Sequence, residues 1–499
     1  MSGLDTTTNK VSPRPSIAIL GVPFDSVTKS EAIELIERMI ASRQPHYLVT
    51  PNVDFLVQAR RDVELRRILF EAHLVLCDGT PLVWASRVLG NPLPERVAGA
   101  DLVPLLIETA AKKKYRLFLL GATPQSSQRA VARLQERYPG LIIAGHYSPP
   151  FNPLLEMDHE EIKLRIAAAK PDLLFVSFGC PKQEKWVAMH YRNLAVPVTA
   201  GVGATIDFLA GQVRRAPLWM QRSGTEWIFR LAQEPRRLFR RYVTDLWVFG
   251  AGIFPQWWQL QVCGRRRRPR VAGLLPPPSM APAHSWCHAR LPDRLDFAAV
   301  TEQSPLADEI AARGQDCLLE MSSTGFVDST GIGLLIRLQK RLRSRGRHLV
   351  LLAPSPAVLR ALDLMRLTDF FHIAPNEKAG LAVLERLKEE SLLSAGLPKV
   401  TSKALSWSGE ITAANAESVW AFTQQYLSSL APDNTKTIDL SQVRFIDSTG
   451  LGLMVRARKM STAAGEELIF SGVRPSVRNV VRLARLEDFL LRPIRRTAA

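Results

Sequence analysis

The chain has 499 residues, of which 46% are hydrophobic, so it is too long for one ordinary core and too apolar for general disorder. Its formal net charge of +18 predicts contact with phosphate groups on nucleic acid, on an anionic membrane or on a substrate. The five cysteines and nine histidines show no redox or metal-ligand spacing, which fits a reducing compartment better than a disulfide framework.

The front of the chain has the alternating pattern of an α/β protein. Residues 1–15 form a polar tail without the apolar stretch of a signal peptide, so we expect a cytoplasmic chain. Over residues 16–213, short apolar runs alternate with segments of helical periodicity. This alternation predicts a Rossmann-like, mostly parallel sheet with helices on both faces. Ligands of such sheets bind beyond the carboxyl ends of the strands.

Polar motifs fall at these predicted strand ends. Glycines allow close approach to the backbone and helix N termini favour anions, so the motifs suit a polar ligand that carries phosphates. Thr50, Asn52, Lys182 and Gln183 add hydrogen-bonding side chains. Each motif alone also fits ordinary α/β structure, but their convergence favours a site. The motifs are "TPNVD" (50–54), "CDGTP" (77–81), "PERVAGAD" (94–101), "GCPKQEKW" (179–186) and "GVGATIDFLAG" (201–211).

Residues 214–264 form a basic, aromatic appendage. Residues 214–242 contain eight arginines against two glutamates, and residues 246–264 carry no charge. Pro255 and three glutamines interrupt the apolar run, which favours a segment at the membrane interface over a transmembrane helix. The arginines also raise the alternative of RNA binding, but no nucleic-acid-binding module accompanies them, so we predict no nucleic-acid partner. An Arg/Pro-rich linker follows over residues 265–284.

The back half is an internal repeat. "FVDSTGIGL" (326–334) recurs 119 residues later as "FIDSTGLGL" (445–453), and the offset holds without a gap to Asp369 and Asp488. Each copy predicts a strand, a turn, a helix, a strand and a helix. We therefore expect two small α/β modules, over residues 285–390 and 400–495.

Residues 16–245 resemble the WecG/TagA/CpsF family of glycosyltransferases along their whole length. The motifs above occur in family order, together with "RRAPLWMQ" and "EWIFRLAQEPRRLFRRY". The resemblance implies inverting, metal-independent transfer of an N-acetylmannosamine-type sugar from UDP to a polyprenyl-diphosphate-linked amino sugar, in surface polysaccharide biosynthesis. It implies a UDP-N-acetylhexosamine donor, no cofactor, and a peripheral location on the inner face of the plasma membrane.

The resemblance also implies roles for individual residues. Asp78 matches the base that takes the proton of the acceptor hydroxyl, with Thr50 and Asn52 as positioning residues. Helix capping is the alternative for Asp78 and Asp207, a surface arginine is the alternative for Arg96, and Glu184 is expected to be structural. The expected substrate-binding residues are Arg96, Lys182, Gln183, Gly203 and Asp207, with Arg230, Arg237 and Arg240 for the acceptor diphosphate.

The two back modules resemble STAS domains, the fold of bacterial anti-sigma-factor antagonists. The matching stretches are "SSTGFVDSTGIG" and "SQVRFIDSTGLG". The resemblance implies a kinase or anti-sigma-like partner, although "DST" also fits an ordinary helix cap. A second hypothesis is a membrane-bound adaptor whose front half is catalytically inactive. It would act through its STAS domains in a phospho-dependent partner-switching system. The candidate phosphoacceptors are Thr330 and Thr449 with their neighbours Ser329 and Ser448, in turns completed by Asp328 and Asp447.

Overall fold

The computed structural model describes residues 14–213, 215–262, 286–392, 399–400, 404–429 and 435–491. Most of the predicted polar tail and the whole Arg/Pro-rich linker therefore lie outside the described residues.

One parallel sheet of six strands organises the front of the chain. A separate antiparallel hairpin precedes it, formed by β1 (Ile17–Ile19) and β2 (Val22–Phe24). The sheet strands are β3 (His46–Val49), β4 (Leu74–Val75), β5 (Arg116–Gly121), β6 (Ile142–Tyr147), β7 (Leu173–Ser177) and β8 (Val198–Gly201). They lie in the order β4-β3-β8-β7-β5-β6, and every pair is parallel. The predicted parallel sheet is confirmed.

The same domain contains nine helices among the described residues: α1 (Lys29–Ser42), α2 (Val53–Ala59), α3 (Val63–Glu71), α4 (Thr80–Val88), α5 (Gly99–Lys113), α6 (Pro124–Arg137), α7 (His159–Ala169), α8 (Lys182–His190) and α9 (Thr205–Leu209). Alternate residues of the strands enter two different hydrophobic clusters. Leu174 and Val176 of β7 join one cluster, while Leu173 and Phe175 join the other. Since successive strand residues point to opposite faces, both faces of the sheet are covered, as predicted.

Three further helices form the appendage: α10 (Leu218–Ser223), α11 (Glu226–Gln233) and α12 (Pro235–Trp257), with a π turn over Trp258–Val262. Helix α12 packs along α2, where the Arg60 guanidinium donates to the Val248 carbonyl at 3.3 Å. Across the described parts of the chain, no helix combines the length and apolarity needed to cross a bilayer.

Two small α/β modules follow. Module 1 (286–392) contains β9 (Trp286–Arg290), β10 (Arg294–Leu295), α13 (Phe297–Ala312), β11 (Asp316–Glu320), β12 (Phe326–Val327), α14 (Ser329–Arg343), β13 (Leu349–Leu352), α15 (Pro356–Leu364), β14 (His372–Ala374) and α16 (Glu377–Leu392). Module 2 (399–491) contains β15 (Lys399–Val400), β16 (Leu405–Ile411), α17 (Ala416–Ser429), β17 (Lys436–Ile446), α18 (Ser448–Ala463), β18 (Leu468–Ser471), α19 (Pro475–Leu483) and α20 (Glu487–Leu491). Their sheets run β14-β13-β11-β9 and β15-β16-β17-β18.

The repeated phrase builds the same structure twice. In module 1, an Asp328 carboxylate oxygen accepts from the backbone N–H groups of Thr330 and Gly331, at 2.8 and 2.9 Å. In module 2, Asp447 caps α18 in the same way and with the same two distances. The strand–turn–helix expected of each copy is therefore present, and in each copy the aspartate is the helix N-cap.

Candidate active site

Three predicted loops meet beyond β3 and β4. The Asp78 backbone N–H donates to the Pro51 carbonyl at 3.1 Å, so the loops after these two strands lie side by side. The Val97 N–H donates to the Cys77 carbonyl at 2.8 Å, which adds the "PERVAGAD" loop. Thr50 faces the start of α5, since a Cβ on Gly99 would lie 3.1 Å from its hydroxyl. Thr50, Asp78 and Arg96 are therefore brought to one edge of the sheet.

The surroundings of Asp78 raise the pKa of its carboxyl group. Burial raises the pKa of its carboxyl group to about 6, although the charges of Arg96 and Arg230 act in the opposite direction. The Asp101 and Glu226 carboxylates raise the pKa further. A carboxylate with this pKa is ionised at neutral pH but is a stronger base than an exposed aspartate, as a general base requires.

Arg96 belongs to a network of charged side chains around Asp101 and Glu226. Its guanidinium is 2.8 Å from an Asp101 oxygen and 3.2 Å from a Glu226 oxygen. Arg215 pairs with both carboxylates as well, with a distance of 3.3 Å to Glu226. Because Glu226 begins α11, the network ties the appendage to the loop beside Asp78. Sequence reasoning did not assign roles to Asp101, Arg215 or Glu226, although all three are charged residues within the quoted motifs.

The appendage is joined to the site at two further places. Gly224 ends α10 in a left-handed conformation with φ of 75°, directly against Thr80, and leaves no room for a Cβ. Arg241 of α12 lies 2.6 Å from Asp54, in the first turn of α2. Asn52 itself caps α2, where its side chain accepts from the Phe55 N–H at 3.3 Å.

Gln183 connects the loops that follow β7 and β8. Its side-chain oxygen accepts from the N–H groups of Gly179 and Gly203, both at 3.2 Å, and its amide donates to Glu184 at 2.7 Å. Gln183 is buried, so here it acts as a positioning residue for the two loops. Glu184 is also buried, and burial raises its pKa to about 7. A Cβ on Gly179 or Gly203 would meet no atom within 4 Å, so a ligand could approach the backbone of these two glycines closely.

The other predicted binding residues occupy different surroundings. Asp207 is half-buried in the first turn of α9, directly after the Gly203 loop. Arg230 is exposed, with its guanidinium 5.2 Å from the Phe208 ring centre. Lys182 is directed to the loop after β6, where its ammonium donates to the Asn152 carbonyl at 2.5 Å.

Two appendage arginines complete the predicted set. Arg240 is exposed on α12, and the side chain of Arg237 lies outside the described part of the chain. The strands β4, β3, β8 and β7 are adjacent in the sheet, so the loops that carry Asp78, Thr50 and Gly203 share one edge with the start of α8, which carries Gln183.

These features define a Rossmann-like α/β protein with a polar site beyond its strand ends and a basic helical cover. Residues 17–262 match the family model described as the Glycosyl transferase WecG/TagA/CpsF family, and the chain belongs to this family. Residues 284–380 match the STAS domain model, and residues 399–493 match the model described as Mlab, STAS domain. Two STAS domains therefore follow the transferase part.

Curated relatives match about half of the chain. The N-acetylglucosaminyldiphosphoundecaprenol N-acetyl-beta-D-mannosaminyltransferases of Staphylococcus aureus strains MW2 and MRSA252 are both 31% identical over 236 residues, 47% of this chain and 91% of theirs. A crystal structure from Thermotoga maritima, of a candidate anti-sigma factor antagonist, is 19% identical with a TM-score of 0.19. It covers 22% of this chain and 94% of that one.

Proposed function

We propose that this chain transfers an N-acetylmannosamine-type sugar from a UDP donor to a polyprenyl-diphosphate-linked amino sugar in surface polysaccharide biosynthesis. The observation that carries the proposal is the convergence of Asp78, Thr50 and Arg96 at the edge of the sheet where Gly179 and Gly203 leave backbone open. The activity of the Staphylococcus aureus relatives supports this choice of sugar and acceptor. The UDP carrier, the inversion and the independence from metal rest on the family resemblance and on the chemistry below.

The proposed reaction is a single displacement. Asp78 takes the proton of the acceptor hydroxyl while that oxygen attacks the anomeric carbon on the face opposite the diphosphate. The bond from the anomeric carbon to the diphosphate oxygen breaks, and its electron pair leaves with UDP. Because one new bond replaces one old bond from the opposite side, the configuration inverts. The proton remains on Asp78 until solvent removes it.

Arginines supply the proposed stabilisation of the leaving group. A guanidinium offers paired N–H donors that match phosphate oxygens, and its charge does not depend on pH in the physiological range. Arg96 is 18% exposed and is held by two carboxylates, so an incoming diphosphate would exchange with Glu226 for the same donors. Arg230 contributes positive charge to the surroundings of Asp78.

An apolar face on α12 supports a peripheral position on the membrane. Its members recur at helical spacing on one side, and α12 also carries the exposed Arg236 and Arg240. Aromatic side chains next to arginines suit the head-group level, which is also where a lipid-linked diphosphate lies. We propose that this face places the site at the inner surface of the plasma membrane. The exposed members are Phe239, Val243, Leu246, Trp247 and Phe254.

A donor panel tests the proposed function. The purified chain is incubated with UDP-N-acetylmannosamine, UDP-N-acetylglucosamine or UDP-glucose and a lipid-diphosphate N-acetylglucosamine acceptor, and products are read by mass spectrometry. We expect transfer from a UDP-hexosamine, reduced about 10²- to 10⁴-fold by Asp78→Asn. Asp363→Asn, on the exposed side of α15, is the matched control. Absence of transfer from every donor would reject the proposal and favour an adaptor that acts through its STAS modules with a kinase or anti-sigma-like partner.

A further inference from the structure

The turn of module 2 is buried against the transferase domain (residues 17–262). The Ser448 hydroxyl donates to a Glu64 carboxylate oxygen at 2.8 Å, and the Ser448 backbone N–H donates to the other oxygen. Glu64 lies on α3 and is only 3% exposed. Lys185 of α8 is 2.8 Å from the same carboxylate and also 2.8 Å from Asp62. The serine of the repeated phrase therefore closes a buried polar contact between two domains.

A cluster of four charges joins all three parts of the chain. Arg67 of α3 is 2.5 Å from Glu410 of module 2 and 2.9 Å from Glu71 on its own helix. Arg343 of module 1 is 2.9 Å from Glu71 and 3.8 Å from Glu410. Each cation contacts both anions, so the cluster is an alternating network, which contributes more than an isolated surface pair. The Arg67 guanidinium also lies 4.6 Å from the Phe445 ring centre.

Module 1 directs its own turn to the same domain. The buried Gln256 amide donates to the Ser329 hydroxyl at 2.9 Å and to the Ala18 carbonyl at 2.8 Å. Phe70 of α3 stacks on Phe370 of module 1, with ring centres 4.9 Å apart. Both modules thus meet α3, and both place the serine of their turn on a polar side chain of the transferase domain.

The contact of module 2 reaches the candidate active site through one helix. Lys185 is two positions after Gln183 on α8, and Gln183 holds the Gly179 and Gly203 loops together. Glu64 therefore has Ser448 of the STAS module on one side and the loop-bearing helix on the other. Loss of the module would remove the Ser448 donors from Glu64 and expose this carboxylate, the ion-pair partner of Lys185.

We propose that the transferase domain is the resting partner of both STAS turns, and that docking of module 2 on α3 strengthens donor binding by holding α8 in place. The second half of this inference rests on the proposed function. A separate protein that binds the turn of module 2 must first displace the module from α3, and this displacement weakens donor binding. Thr330 is completely buried, and neither the Thr330 nor the Thr449 hydroxyl has a hydrogen-bond partner in the described structure.

A charge swap in the full-length chain tests the inference. Arg67→Glu places three carboxylates together, and Arg67→Glu/Glu410→Arg restores an opposite pair across the interface. We expect Arg67→Glu to increase hydrogen–deuterium exchange in α3 and residues 447–451 and to raise the donor KM about fivefold or more, the lower end of common coupling between sites. The double variant should return both readouts toward wild type. Arg61→Glu, an exposed change of the same charge nearby, is the control and should alter neither.

The two halves of the inference fail separately. Unchanged exchange at residues 447–451 in Arg67→Glu, or no recovery in the double variant, would overturn the docking. Increased exchange with an unchanged donor KM would overturn the coupling to the site. If the wild-type chain transfers no sugar, the proposed function fails and takes the coupling with it, while the exchange measurements still decide whether the modules dock.

Discussion

Two buried glutamines link separate chain segments through their side-chain amides. Gln183 bridges Gly179 and Gly203 at the candidate site, and Gln256 bridges the β1–β2 hairpin to Ser329. The Gln256 oxygen accepts from the Leu20 N–H at 3.0 Å, so both ends of that amide are used. A buried backbone group without a partner is costly, and one planar amide satisfies several such groups at once. At the residue scale, these two side chains fix the positions of the backbone segments to which they bond.

Gln183→Ala should loosen the two glycine loops. The change leaves two N–H groups and the Glu184 carboxylate without their partner, so we expect a loss of about 1–3 kcal/mol in the free energy of unfolding. Because both loops border the proposed donor site, the donor KM should rise more than kcat falls. Denaturant unfolding and steady-state kinetics measure the two effects. Gln128→Ala, exposed on α6, should leave both unchanged. An unaltered donor KM in Gln183→Ala would contradict the role given to this residue.

The pH dependence of transfer should report Asp78. Its pKa is raised to about 6, and only the ionised form accepts a proton, so activity is present above this pH and is lost as pH falls through it. We expect kcat/KM to decrease about tenfold per pH unit below 6, as one protonation requires. The residual activity of Asp78→Asn should not show this decrease at acid pH. A decrease that begins near pH 4, or one that survives the substitution, would show that another group is titrating.

At the scale of elements, the sequence was sufficient where one segment determines its own structure. Alternating apolar runs predicted the parallel sheet, and the repeated phrase predicted the strand, turn and helix of each module. The contacts of α3 could not be predicted in this way. From the sequence alone, Glu64 is an ordinary acidic residue in the first turn of a helix capped by Asp62, and Phe70 is predicted to be a core residue. Their partners, Ser448 and Phe370, are about 300 residues or more away, and no local pattern encodes such a contact.

Helix α12 should bind membranes through its apolar face. Trp247 is 77% exposed, and burying such a side chain at an interface contributes enough that Trp247→Ser should weaken vesicle binding about tenfold. Sedimentation with vesicles that contain anionic lipid measures this, and binding by the wild type should weaken as salt rises because the arginines are screened. Phe489→Ser, an exposed aromatic in module 2, should have no effect. Equal losses in both variants would argue against a specific role for α12.

At the scale of the whole molecule, the STAS modules cover a face that the transferase part leaves apolar. The Staphylococcus aureus relatives align over 91% of their own length with 47% of this chain. Here Ala18, Phe70 and Leu260 of the transferase domain belong to the same hydrophobic cluster as the core of module 1. The modules and the transferase part therefore share buried surface, and their stabilities are coupled.

Phe70→Ser should affect stability in the full-length chain and self-association in a truncated chain. In the full-length protein Phe70 is 3% exposed and stacks on Phe370, so the substitution should lower the free energy of unfolding by about 3–5 kcal/mol, the range for truncating a buried phenylalanine. In a chain that ends at Val262, the same ring faces water, and the substitution should reduce self-association instead. Thermal unfolding and light scattering of the four proteins measure the two effects. If Phe70→Ser destabilises the full-length chain no more than an exposed substitution such as Phe489→Ser, module 1 does not bury this ring in solution.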